Sequence, residues 1–262
     1  MSNLQSFIET QRETHPILLM THVIYGYPTV AESLTMMDTL LRKGVAILEV
    51  QFPFTDPVAD GPVIADACHV ALQNDPQLGK CLKDVNELAA NYPQSKVLLV
   101  SYLNPLLQYG FKQLRIDMAP MIAGVIIPDL PVDQQLLLQP LVDTSSPGAI
   151  DPIWLIIPNM QASRIALVCS SGQGMLYCVS RKGVTGRGGS QSERAQLQSY
   201  LAEIKRHTQL PLALGFGISS ADDIKSIVGL VDVAVVGSAL LRAYQTGGIE
   251  QFSAKVDELL AA

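Results

Sequence analysis

Glu49 stands in the middle of the apolar run Ile47-Leu-Glu-Val-Gln51. In a strand, side chains alternate, so Glu49 and Gln51 face one side while Leu48 and Val50 face the other. A carboxylate on the buried side of a strand is costly unless it is paired, hydrogen-bonded or protonated. Read structurally, Glu49 is an acid bonded to Ser, Tyr or backbone; read chemically, it is a proton-transfer group. Asp56 and Asp60 follow in a loop stiffened by Pro53, Pro57 and Pro62, with Gly61 as its flexible point. Asp-Pro and Asp-Gly-Pro are also ordinary turn chemistry. A desolvated Glu beside a more solvated Asp can hold one acid and one base near neutral pH.

A second kind of chemistry is suggested by three late glycine-rich segments. They are Lys182–Gly189, Gly215-Phe-Gly-Ile-Ser-Ser220 and Gly237-Ser-Ala239. Bare backbone lets N–H groups approach an anion closely, helix N-termini favour phosphate, and the Ser238 hydroxyl adds a donor. Plain βα turns are the alternative reading of the same glycines.

These residues need a frame, and the pattern of the chain supplies one. Strand-like runs are expected at 17–25, 45–52, 96–101, 124–128, 153–157, 174–180, 210–214 and 231–236. Several are almost continuously apolar, as strands buried on both faces are. Helical stripes lie between them. Leu34, Met37 and Leu41 form one; Leu197, Tyr200, Leu201 and Ile204 a second; Ile249, Phe252, Val256 and Leu260 a third. Ser220 with Asp223 reads as a helix start. Eight strand–helix alternations predict a single α/β domain over 1–262, a closed (β/α)8 TIM barrel. A doubly wound open sheet is the alternative, but its glycine fingerprint is missing where the first turn reads Tyr25-Gly-Tyr-Pro28. In a barrel, the Asp56–Asp60 loop lies at the catalytic C-terminal face. The seventh and eighth βα loops are where barrels commonly hold phosphate.

Composition agrees with an enzyme of this build. The chain has 262 residues, 48% hydrophobic and 16% charged, which leaves material for a large core. A net charge of −6 argues against a nucleic-acid or anionic-membrane surface. Cys68, Cys81, Cys169 and Cys178 form no C-x-x-C pair and no zinc pattern, so no metal is expected. They read as buried free thiols of a reducing cytoplasm. The polar N-terminus carries no signal-peptide core, and no apolar run is long enough to span a membrane.

The sequence resembles the tryptophan synthase alpha chain family over essentially its whole length. Glu49 followed by Pro53-Phe-Thr-Asp-Pro-Val-Ala-Asp-Gly-Pro62 matches the family's strand-two signature. Tyr102-Leu-Asn-Pro105, Ile126-Ile-Pro-Asp-Leu-Pro131, Ser180-Arg-Lys-Gly-Val-Thr-Gly186 and Gly215–Ser220 match in order. The resemblance implies retro-aldol cleavage of indole-3-glycerol phosphate to indole and glyceraldehyde 3-phosphate. It makes Glu49 the proton shuttle and Asp60 the carboxylate that bonds the indole N–H and offsets the cationic intermediate. It also places Tyr102, Asp129 and Tyr177 at the substrate, with Thr185 closing over it and bonding Asp60. Gly186, Gly217, Gly237 and Ser238 become the phosphate donors. No cofactor is implied in this chain. The implied partner is a beta subunit holding pyridoxal phosphate, in an alpha2beta2 assembly, with indole passing between subunits.

The chain departs from the family at the same site. His22 stands where an aromatic residue is usual, Ile24 where Thr is usual, and Gln51 where Gly is usual. Thr55 replaces Ser, and the segment 118–124 is shorter. His22 is expected to stack on the indole and can carry charge. The Gln51 amide is expected to reach the Glu49 carboxylate, favouring its ionised form, or to crowd the indole. The rival functions are a lyase or isomerase acting on another phosphorylated metabolite, and a weakly catalytic subunit that activates a beta partner.

Overall fold

The computed structural model describes residues 3–119, 121–142, 150–180, 191–215 and 217–262, with the side chains of 191–193 left aside. Eight parallel strands close into a barrel in sequence order. They are β1 Leu18–Ile24, β2 Ile47–Gln51, β3 Lys96–Val100, β4 Ile122–Ile126, β5 Asp151–Ile156, β6 Leu176–Val179, β7 Leu212–Gly215 and β8 Val233–Val236. The surrounding helices are α1 Asn3–Arg12, α2 Val30–Arg42, α3 Pro62–Leu72, α4 Leu78–Ala89, α5 Leu103–Tyr109, α6 Phe111–Met118, α7 Ala162–Ser171, α8 Gln191–Lys205, α9 Ala221–Ile227 and α10 Ser238–Leu260, with a 3₁₀ turn at Val132–Leu138. The open-sheet alternative is excluded by the β1–β8 pairing, Leu18 to Val233 through Thr21 to Val236. Among the described residues no helix is long and apolar enough to cross a membrane.

Alternation divides each strand between two cores. Leu48, Val50, Val97 and Leu99 face the helices in the outer core. Leu18, Met20, Ile47, Leu98, Ile153, Met175, Ala213 and Val233 fill the barrel interior. α1 closes the bottom by adding Leu4 and Ile8, both fully buried, to that inner cluster. Sequence periodicity misses this helix, because Leu4, Phe7 and Ile8 in an otherwise polar decapeptide make too short a stripe. The inner layers are apolar at the bottom and turn polar upward. Two residues beyond Met20 comes His22, beyond Ile47 come Glu49 and Gln51, and beyond Met175 comes Tyr177.

Several boundaries move from their expected places. β4 runs two residues earlier than expected, over Ile122–Ile126, with a register shift opposite Val97/Leu98. Pro128 has no N–H to offer a ladder, so the strand stops short of it. β5 starts at Asp151, paired with Gly124, although Asp and Pro152 read poorly as strand. Gly124 has no room for a side chain there, since a Cβ would sit 2.9 Å from the Asp151 carbonyl oxygen. β6 begins after Gly174, whose φ of +70° breaks the extended run. In α10 the buried stripe is Phe252, Val256 and Leu259, while Leu260 is exposed. The kink at Gly247 and Gly248 resets the helical phase upstream of that stripe. The expected start of α9 is present as a full capping box, with Ser220 accepting from the Asp223 N–H.

Leu98 is fully buried in the inner core. Leu98→Ala is expected to cost about 2–5 kcal/mol, read as a lower urea midpoint at unchanged slope.

Candidate active site

Strand register brings the chemistry together. His22 on β1 pairs with Glu49 on β2, and Ile24 with Gln51. Glu49 is only 3% exposed, and His22 Nδ1 lies 3.6 Å from Glu49 Oε2. Burial alone would lower the imidazole's proton affinity, but Glu49, then Asp60 and the Gln51 side chain, outweigh it and raise the His22 pKa above its usual value. The ring is therefore a lining residue of the cavity that is also tied electrostatically to the acid.

Asp60 is held by a different set. Its Oδ2 accepts from the Tyr102 hydroxyl at 2.9 Å and from Gln51 Nε2 at 2.9 Å. The Tyr102 oxygen also accepts the Ala59 N–H at 2.9 Å, and the Phe54 ring stacks on Tyr102 with centroids 5.3 Å apart. The loop between β2 and α3 is thus pinned from β3. α3 begins at Pro62 with Gly61 as N-cap, which places Asp60 at the foot of a helix where no further turn can extend. Gln51 corrects one expectation: its amide donates to Asp60, and also to Cys68 Sγ at 3.5 Å, rather than to Glu49. The reason is geometric. Gln51 lies at the strand end, nearer the loop carboxylate than the acid two residues behind it. Burial and then Asp60 push the Cys68 thiol up to about 12, so it stays an uncharged neighbour. All four cysteines are buried and free.

Tyr177 reaches the cavity from β6. A Cβ on Gly215 would lie 2.3 Å from the Tyr177 hydroxyl, so that glycine is the floor on which the ring rests. Burial, then Glu49 and Asp60, raise the phenol's pKa well above its usual value, which keeps it a neutral donor. Asp129 lines the adjoining part of the cavity, and its Oδ1 accepts the Leu103 N–H at the start of α5.

The phosphate-type loops meet the acids across one space. A cavity of about 350 Å³ is lined by Glu49, Asp60 and His22 together with Gly217, Gly237 and Ser238. Gly217 has a φ of +92°, the left-handed conformation that favours glycine. Ser219 and Ser220 do not contribute free amides here, since both N–H groups go to Asp223 Oδ2. Gly237 is the N-cap of α10 and Ser238 its first residue, so the positive end of that helix opens on the cavity. Sequence reasoning missed Arg242, which also lines this space and donates to Ser238 Oγ at 3.0 Å. Its signal was available, since a basic residue four positions after Ser238 on a helix lies on the same face. Thr185 and Gly186 lie outside the described residues. Among the described residues, no three His, Cys, Asp or Glu side chains are grouped to hold a metal ion.

The comparisons with known proteins agree with this geometry. The family model described as "Tryptophan synthase alpha chain" matches residues 8–261. The chain is 35% identical to the tryptophan synthase alpha chain of Desulforapulum autotrophicum, covering 94% of this chain and 96% of that one. It is 35% identical to that of Syntrophotalea carbinolica, covering 98% and 99%. Among solved structures, a Mycobacterium tuberculosis tryptophan synthase chain superposes with a TM-score of 0.88 at 30% identity, covering 99% of this chain and 97% of that one. A closed barrel, two acids at its mouth and a full-length match to a single family converge: this chain belongs to the tryptophan synthase alpha chain family.

Proposed function

We propose that the chain cleaves indole-3-glycerol phosphate to indole and glyceraldehyde 3-phosphate, a lyase step of tryptophan biosynthesis, with Glu49 and Asp60 as its acids. The observation that carries the assignment of roles is the shared cavity, lined both by two carboxylates and by a helix N-terminus with bare glycines. The phosphorylated tail lies toward Gly217, Gly237 and Ser238, where N–H groups and the helix dipole meet the anion and Arg242 adds positive charge. The indole lies toward His22, Tyr177 and Val100. Gly186 as a further phosphate donor and Thr185 as a substrate contact rest on the family resemblance alone, both lying outside the described residues.

The chemistry follows from the placement. Asp60 Oδ2 is taken by Tyr102 and Gln51, leaving Oδ1 to accept the indole N–H. Protonation of indole C3 creates a cation on the ring, and the Asp60 carboxylate offsets it. Glu49 then removes the proton of the C3′ hydroxyl. The oxygen's electrons form the aldehyde, the C3–C3′ bond breaks, and its electrons restore the indole double bond. The proton lost from the hydroxyl balances the one gained at C3, so the step needs no cofactor from this chain.

The same loop fits a role at a subunit contact. Phe54, Thr55, Asn104 and Gln108 line a surface cleft, and the same two segments carry Val58, 82% exposed, and Leu107, 50% exposed. We place the beta subunit there, with pyridoxal phosphate held in that partner, in an alpha2beta2 assembly. A contact on this cleft bears directly on Asp60, because Tyr102 and Phe54 link them. A cytoplasmic location suits four free thiols.

Purified chain, assayed for indole release with indole-3-glycerol phosphate, is expected to be active, and more so with a beta subunit. Glu49→Gln is expected to lower kcat by about 10²–10⁴-fold with little change in KM; an unchanged rate removes Glu49 as the shuttle. Gln51→Gly takes one donor from Asp60 and is expected to lower kcat/KM about tenfold, roughly 1.4 kcal/mol. A gain in rate on Gln51→Gly would instead mean that the side chain crowds the indole.

A further inference from the structure

The His22–Glu49 pair is built into the barrel rather than left at its surface. The two residues are register partners on adjacent strands, with side chains 11% and 3% exposed. Behind the imidazole, Gly237 is bare, and a Cβ there would lie 3.2 Å from His22 Cβ. The ring is therefore seated between β2 and the β8 loop. Among the described residues, no other basic side chain comes within 4.0 Å of Glu49. Asp60 does not need the ring, because it already takes two donors. Among the described residues Glu49 takes no such second donor, and burying a carboxylate without a partner disfavours its charged form. The other His22 nitrogen, Nε2, is buried with no hydrogen-bond partner among the described residues, as is Gln51 Oε1.

Among the described residues, the charged or titratable groups that line the space around the ring can be named. Glu49 comes from β2, Asp60 from the loop after it and Tyr177 from β6. Arg242 lines the rim on α10 but is turned to Ser238. Asp129 and Arg164 line the adjoining space, where Asp129 accepts from Leu103 and Arg164 pairs with Asp133. Among the described residues, two carboxylates with one candidate cation beside them leave the imidazolium as the counter-charge.

We propose that His22 is a positioning residue that holds the proton for Glu49, keeping the buried acid ionised between turnovers and exchanging one proton with it during each. In the resting pair the proton is on the imidazole. His22 Nδ1 passes it to Glu49, and Glu49 delivers it to indole C3. Glu49 next takes the proton of the C3′ hydroxyl as the C3–C3′ bond breaks, and returns it to His22. One proton leaves the pair and one comes back, so the balance closes without another reactant. This rests on the reading of the reaction above, but its first test does not.

That test is ring nitrogen NMR of the full chain labelled in its four histidines, titrated over about pH 5 to 9, with His22→Phe identifying the His22 signals. His22 is expected to stay protonated above the ordinary histidine value of about 6.5. Glu49→Gln is expected to bring its midpoint below the ordinary histidine value of about 6.5. A ring neutral across the whole range, or one whose titration ignores Glu49→Gln, overturns the proposal. Stability supplies a second readout that needs no variant of the acid. Since the folded ring binds its proton more tightly than the unfolded one, its contribution is full below about pH 6.5 and fades as pH rises through the folded value. His22→Phe should abolish that slope in urea unfolding, and an unchanged slope counts against the pair. With indole-3-glycerol phosphate, His22→Phe is expected to lower kcat about tenfold or more at nearly constant KM, and to move the fall of kcat with rising pH to lower pH. An identical pH profile overturns the proton-holding role. Wild-type chain that releases no indole at any pH overturns the reaction assigned to the chain, while the NMR result still judges the pair.

Discussion

The structure turns on a carboxylate that must remain chemically useful while almost wholly removed from water. Glu49 is fixed at the upper layer of the barrel interior by strand alternation, above Ile47 and beside the apolar fill of the neighbouring strands. In that position charge is expensive, and everything around it reads as compensation. His22 faces it across one strand step, Tyr177 stays neutral nearby, and Asp60 is satisfied by its own two donors so that it does not compete for the ring. The polarity of the upper layer and the apolarity of the layers beneath are two sides of one arrangement. The lower layers hold the barrel closed, so the upper one can be given to chemistry.

The pocket joins two kinds of electrostatics with different origins. At the acid end, charges are side chains whose state depends on neighbours within a few ångströms. At the glycine end, the attraction comes from backbone N–H groups and the start of α10, which carry no titration and no net charge. Such attraction does not depend on the net charge of the chain, which is −6. Arg242 adds one mobile charge at the rim, steered by Ser238. The departures from the family at positions 22 and 51 bear on how the two carboxylates are held, and His22 also packs against Gly237.

Much of this was legible from residue order. Near-continuous apolar runs alternating with helical stripes specify a parallel barrel, because only strands covered on both faces can be so apolar. The position of Asp60 after β2, and of the glycines after β7 and β8, followed from counting strands. Free buried thiols followed from cysteine spacing. What failed did so for local reasons. α1 lacked a stripe broad enough to register, β5 began on an Asp and a Pro, and α10 changed phase at a glycine pair.

The sequence by itself determined the architecture, the family and the pair of acids, since these depend on residue types and on periodicities of two and 3.6 that any reader of the chain can follow. Only the tertiary structure decided the partners. That Gln51 donates to Asp60, that His22 faces Glu49, that Gly215 is the seat of Tyr177, and that Asp223 absorbs the amides of Ser219 and Ser220 are facts of register and loop path. Periodicity tells which face a side chain takes, but a hydrogen bond is settled by tenths of an ångström between elements far apart in the chain.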